Sequence, residues 1–224
     1  MAKKNDDTIL NVDEVYTKTE QFVDKNRNQL TIILGGAAVI ILAFMGYKTL
    51  VSDPAELAAE EAIVQAEYYF SIDSLDLAQF GDGFSAGLEE IMADHPGTNA
   101  ASRAAYQVGV INRDAGLFED AITAFNQVNF NDDVLSPMSI GSMADCYSDL
   151  GDYVHAAEYY NKAANASDAG LAAKVLAPTY HYKEALTHIE LGNTSKAKSI
   201  LSHIEENHPN SRMFTKAVAL RASL

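Results

Sequence analysis

Asp149-Leu150-Gly151-Asp152-Tyr153, with Ala156 and Tyr160 following at helical spacing, is the stretch whose reading decides the fold of this chain. The pattern occurs twice more. Arg113–Phe118 reads RDAGLF and Glu190–Thr194 reads ELGNT. In each case a Gly (Gly116, Gly151, Gly192) closes an apolar-rich segment and an Ala follows five residues later (Ala121, Ala156, Ala197). A large side chain comes four residues after that Ala: Phe125, Tyr160 and Leu201. Gly supplies the left-handed backbone that ends a helix. The Ala is small because the two helices of a hairpin cross closely there, and the bulky residue one turn on fills the space between hairpins.

The Gly-to-Gly intervals are 35 and 41 residues, and the first is near the period of about 34 residues of the tetratricopeptide repeat. Further positions resemble that repeat. Val108-Gly109 and Met143-Ala144 occupy its Leu-Gly position, Tyr147 its Tyr, Ala163 a later Ala, Ala185 replaces a Gly, and Pro209 closes the third unit. The longer interval implies an insertion of about seven residues around Asn165–Ala172. A degenerate unit comes first, because Leu88-x-x-Ile91-x-x-x-His95-Pro96 echoes Leu201-x-x-Ile204-x-x-x-His208-Pro209. Its first helix is expected from Pro54 to Phe70 with Asp53 as cap, and its bend at Phe80–Phe84. No segment alternates with a strand period. The expected fold is all-α: a single amino-terminal transmembrane helix, then a tetratricopeptide-repeat-like α-solenoid of about four helical hairpins.

The transmembrane expectation rests on Leu30–Tyr47, eighteen residues without a charge. As a helix this run spans about 27 Å, close to the hydrocarbon thickness of a bilayer. A cleaved signal peptide fits less well: 29 residues, six of them acidic, precede the run, and no A-x-A pattern follows it. The domains are therefore read as an amino-terminal segment 1–29, a membrane helix 30–47, a linker 48–53 and a repeat domain 54–224. Lys18, Lys25 and Arg27, with Lys3 and Lys4 behind them, outweigh Lys48 on the far side. That bias predicts a cytoplasmic amino terminus and an external repeat domain. Gly36, Val39, Ala43 and Gly46 fall on one stripe, either a packing face for another membrane helix or simply small residues common in such helices. Asn11–Val23 has apolar residues at helical spacing, as a partner-binding arm or a frayed helix would.

The first 51 residues carry six basic and six acidic side chains, so the whole net charge of −15 lies beyond them. Such acidity argues against nucleic acid and against lying on anionic lipid; lipid is expected around the anchor alone. Cys146 is the one cysteine, so no intrachain disulfide forms; it reads as an apolar filler of the repeat core.

No catalytic, cofactor or metal site is expected. His95, His155, His181, His188, His203 and His208 are scattered. His181 and His188 share a helix face, but no Glu-x-x-His or Cys pair supports a metal there. Gly81-x-Gly83-x-x-x-Gly87 has the wrong spacing and context for a phosphate loop, and Asp73, Asp76 and Asp82 do not follow a calcium loop. The surface of interest is the groove lined by the first helices. Counting from each Gly assigns to it Arg103, Tyr106, Val110 and Arg113; Met138, Gly141, Asp145 and Asp149; and Tyr182, Leu186 and Ile189. Tyr and Arg are common interface anchors. Arg103 and Arg113 stand out where bases are scarce, either to grip a partner's carboxylate or to pair with neighbours such as Asp114.

One anchor followed by an acidic repeat domain resembles the YfgM-like family, in the style of its Bacteroidetes members. The segment Lys18–Lys25, the Ala-rich link with Glu56–Phe70, and Gly81-Asp82-Gly83 carry the resemblance. It implies an ancillary, non-enzymatic subunit of the Sec translocon in the bacterial inner membrane, with SecYEG and a periplasmic chaperone of the PpiD type as partners. A cell-envelope scaffold for another assembly and, from a different class, a membrane-tethered hydrolase are the alternatives. The hydrolase needs a nucleophile and base in one pocket, which the sequence does not offer.

Overall fold

A computed structural model of the 224-residue chain describes residues 12–130, 132–167, 170 and 172–224, with side chains from Glu20 onward. Lys3, Lys4 and Asn11, used in the charge and amphipathicity arguments, lie outside the described residues. So do Asp168, Ala169 and Leu171 of the expected insertion. The chain divides between Pro54 and Ala55 into two units.

The first unit is helical. Helix α1 runs from Val12 to Tyr47, so it begins well before the uncharged stretch. Its large apolar side chains stand open, Ile32 at 73% and Phe44 at 67% exposure. Near the ends of the uncharged run, Thr31 Oγ1 donates to the Arg27 carbonyl (2.8 Å) and Thr49 Oγ1 to that of Met45 (3.0 Å). Each hydroxyl is thus satisfied by its own helix, as a hydrocarbon environment requires. One helix near the amino terminus is long and apolar enough to cross a membrane. A π-helical turn, Lys48–Ser52, follows. The expected cap at Asp53 does not form: Asp53 has helical dihedrals (φ −65°, ψ −42°) and its N–H donates to the Lys48 carbonyl. Helical bonding continues through the segment, which leaves no orphan N–H for a cap to satisfy.

The second unit is a row of helices: α2 (Asp53–Ser71), α3 (Leu75–Phe80), α4 (Leu88–Asp94), α5 (Asn99–Asp114), α6 (Phe118–Phe125), α7 (Leu135–Asp149), α8 (Tyr153–Ala166), α9 (Ala172–Glu190), α10 (Thr194–Asn207) and α11 (Phe214–Ser223). No strand occurs among the described residues. The three Gly markers end α5, α7 and α9 in the same way. Gly116, Gly151 and Gly192 have φ of 77°, 76° and 72°. Behind each, the next residue's N–H reaches back to the fifth residue before it: Leu117 to Asn112 (2.8 Å), Asp152 to Tyr147 (2.9 Å), Asn193 to His188 (2.8 Å). This is the Schellman closure, in which two otherwise orphaned carbonyls are bonded.

The small and large positions pack as their spacing implies. Ala121, Ala156 and Ala197 are wholly buried, and Phe125, Tyr160 and Leu201 are at most 4% exposed. A Cβ added to Gly109 would strike the Phe125 ring, and one added to Gly141 would strike the ring of Tyr180. Successive hairpins bury their faces against one another in clusters running from Ala59 and Ile63 to Ile204 and Ala217. That nearest-neighbour packing makes a helical-repeat array. Beyond the expected hairpins stand the short α3 and a final α11 that packs on α10. Part of the expected insertion is taken up by α9, which is 19 residues long against 15 for α7.

Candidate functional site

The first helices α5, α7 and α9 present the stripes counted from sequence, and their charged members are already engaged inside the chain. Arg103 on α5 donates two parallel bonds to Glu60 (2.8 and 2.7 Å) and a third to Glu67 (2.8 Å), both on α2. The hydrogen bond from Arg103 holds the Glu60 carboxyl below its ordinary range. Arg113 bonds the adjacent Asp114 (3.1 and 2.9 Å). Of the two roles open to these arginines, local pairing is the one the side chains adopt. On α7, Asp145 accepts from Lys183 of α9 (2.6 and 2.9 Å) and from the Tyr160 hydroxyl. Burial first, and then Asp145, pushes the Tyr160 hydroxyl far above its usual range. The first-helix face is thus laced by ion pairs that join α2 to α5 and α7 to α9.

The remaining candidates divide by exposure. Tyr106 and Val110 pack against Phe125, Met143 and Cys146, with the Tyr106 and Phe125 rings edge-on at 5.7 Å. Gly141 lies under Tyr180, and Tyr182 and Ile189 join the core around Leu201. Asp149 and Leu186 (41% exposed) face solvent, and Met138 is half-buried. Leu186 also lines a cavity of about 440 Å³, together with Ser148, Tyr153, Tyr160, Lys183 and Glu190. Lys183 belongs to this face, and counting from the Gly marker missed it. Its partner Asp145, 38 residues earlier, supplies no local signal.

The other motifs resolve locally. Asp82 accepts from the N–H groups of Phe84 (2.9 Å) and Ser85 (2.7 Å) and from the Tyr69 hydroxyl (2.8 Å). Its own carboxylate therefore takes the loop amides that a phosphate would need. Cys146 is fully buried, and burial pushes its thiol up to about 11, which makes it a poor nucleophile at neutral pH. Gly36, Val39, Ala43 and Gly46 lie on the open surface of α1, with nothing within 4 Å of a Cβ built on Gly36 or Gly46. The histidines are not all scattered. His181, His203 and His208 place their ligating atoms within 4.8 Å of one another. The pair singled out from sequence, His181 and His188, instead flanks Glu184.

Two family models, each described as tetratricopeptide repeat, match residues 139–169 and 180–211. The chain contains tetratricopeptide repeats. The first match takes in α7 from Ser139, its Gly151 turn and α8; the second takes in most of α9, the Gly192 turn, α10 and the His208-Pro209 corner. The Gly116 hairpin, outside both matches, has the same closure and burial. Tetratricopeptide repeats are typically non-enzymatic protein-interaction modules, and no catalytic family is indicated for this one. No curated protein matches the chain.

Proposed function

We propose that this protein is a membrane-anchored, non-enzymatic interaction subunit whose repeat domain binds protein segments beside a membrane complex. One observation carries the reading: a tetratricopeptide array shares its chain with a helix whose large apolar side chains stand open from Ile32 to Tyr47. That exposed surface needs lipid or another membrane helix as its surroundings. In the finer form of the proposal, the chain is a YfgM-like accessory subunit of the Sec translocon. Residues 1–29 lie in the cytoplasm, 30–47 cross the inner membrane, 48–53 lead out, and 54–224 stand in the periplasm beside SecYEG and a PpiD-type chaperone. The charge bias around α1 and the resemblance of Lys18–Lys25 and Gly81-Asp82-Gly83 support this placement. Met138, Asp149 and Leu186, with Tyr106 and Tyr182 at their flanks, form the contact surface. Arg103 and Asp145 hold its frame, and Arg113 pairs with the neighbouring Asp114.

Affinity purification of the full chain after mild detergent extraction tests the assignment. Recovery of translocon subunits in stoichiometric amount is expected. Recovery of a different envelope assembly overturns the Sec assignment and leaves a scaffold. Recovery of no membrane partner overturns both.

A further inference from the structure

We propose that His181, His203 and His208 form a binding site for a divalent transition-metal ion, zinc by the chemistry of its donors, at the carboxyl-terminal end of the repeat domain. The three come from separate places in the fold. His181 is on α9, His203 is near the end of α10, and His208 caps that helix (φ −127°, ψ 49°). Ring centroids lie 4.8, 5.9 and 6.2 Å apart, and one ligating atom from each lies within 4.8 Å of the other two.

His181 carries the argument. It is 6% exposed, and its Nε2 is buried with no hydrogen-bond partner among the described residues. Such an atom needs a partner that the described residues do not supply. Its other nitrogen, Nδ1, faces Glu184 Oε2 at 3.3 Å. Glu184 is itself buried and fixed from the next helix, accepting from Asn161 Nδ2 of α8 (3.1 Å). A proton on Nδ1 directed at this carboxylate leaves the lone pair on Nε2, the nitrogen left to ligate an ion. A carboxylate behind a histidine, setting its tautomer and ring orientation, is the arrangement found behind metal-ligating histidines.

The donor set selects the class of ion. Three imidazoles without a thiolate suit zinc and its first-row neighbours, whereas magnesium and calcium require oxygen ligands. Zinc–nitrogen bonds of about 2.1 Å in tetrahedral geometry place ligand nitrogens roughly 3.4 Å apart. The cluster therefore closes by a little over an ångström around an ion. His203, exposed on α10, has the freedom to make that movement. A cavity of about 220 Å³ adjoins it, lined by Asn161, Asn165, Glu184 and Lys196 among others, and provides entry and room for a water as fourth ligand. Bound there, the ion ties α9 to α10 and to the corner that follows.

The test uses the full chain in detergent, carrying no polyhistidine tag, stripped with chelator and titrated with zinc chloride by calorimetry. One ion per chain is expected. His203→Gln, which alters an exposed side chain, should weaken binding at least tenfold with unchanged far-ultraviolet circular dichroism, and His208→Gln should do the same. Glu184→Gln, a change behind the ligands, should weaken it about 10–100-fold while cobalt substituted for zinc keeps its visible absorption band. His95→Gln should leave affinity unchanged. Absence of saturable binding, a stoichiometry other than one, or equal affinity in His203→Gln overturns the proposal.

Discussion

Two corners of this molecule share a sequence and a backbone but not a chemistry. Leu88-x-x-Ile91-x-x-x-His95-Pro96 ends α4, and Leu201-x-x-Ile204-x-x-x-His208-Pro209 ends α10. Both Leu and both Ile are wholly buried. His95 adopts φ −122°, ψ 49° and donates its N–H to the Ile91 carbonyl (3.1 Å); His208 adopts φ −127°, ψ 49° and donates to that of Ile204 (2.9 Å). Three residues on, the N–H of Thr98 and of Ser211 bonds back to the histidine carbonyl (3.3 and 3.0 Å). The differences come from outside the motif. The second corner gathers His181 and His203; at the place of His203, the first corner has the exposed Glu90. A local sequence thus dictates a turn, and its neighbours decide what the turn does.

The largest expected effect asks whether the corners are energetic equals. Leu88→Ala and Leu201→Ala each remove a fully buried side chain and should cost about 2–5 kcal/mol, measured by chemical denaturation of the full chain in detergent. Costs that agree within about 1 kcal/mol sharpen the equivalence. A near-neutral Leu88→Ala would break it, showing that the degenerate first unit lacks a packed core.

A smaller effect separates the corners. Thr98 Oγ1 accepts from the Ala101 N–H (3.1 Å) as the N-cap of α5, while Ser211 Oγ is buried with no hydrogen-bond partner among the described residues. Thr98→Ala should therefore cost about 1 kcal/mol, whereas Ser211→Ala should be neutral or slightly stabilising. Equal losses at the two positions would contradict the contrast. Thermal melting of the two variants decides the matter.

The smallest effect is a pH dependence at the first end. The Glu60 carboxyl titrates below its ordinary range in the folded chain because Arg103 bonds it. The unfolded chain then binds the proton first as pH falls. The contribution is present above the usual glutamate range and is lost as pH drops through the folded value. Glu60→Gln should flatten the acid limb of a stability-against-pH curve and lower stability slightly at neutral pH, as expected for a largely solvated pair. An unchanged acid limb would show that the link from α2 to α5 contributes nothing.

Much of this architecture was legible because its causes are local. The three Gly turns, the Ala crossings and the uncharged run of α1 depend on dihedral preference, side-chain size and hydrophobic length, all of which act within a few residues. What is not legible depends on partners. Asp53 reads as a cap because Pro54 follows it, yet a π-helical turn precedes it. Counting from Gly116 puts Arg103 on its helix, but its carboxylates are 36 and 43 residues away. The histidine cluster had one faint signal: His181 and His203 lie 11 residues on either side of Gly192, and antiparallel helices bring equidistant residues side by side.

By itself, then, the sequence determined that this chain makes helical hairpins closed at Gly116, Gly151 and Gly192 and carries one helix apolar enough for a membrane. Tertiary structure alone decided that Arg103 locks α2 to α5, that Lys183 meets Asp145, and that three of six histidines converge, with Glu184 behind one of them. Backbone turns are set by short-range sterics. Convergence of side chains depends on how whole helices pack, and no short stretch of sequence encodes that.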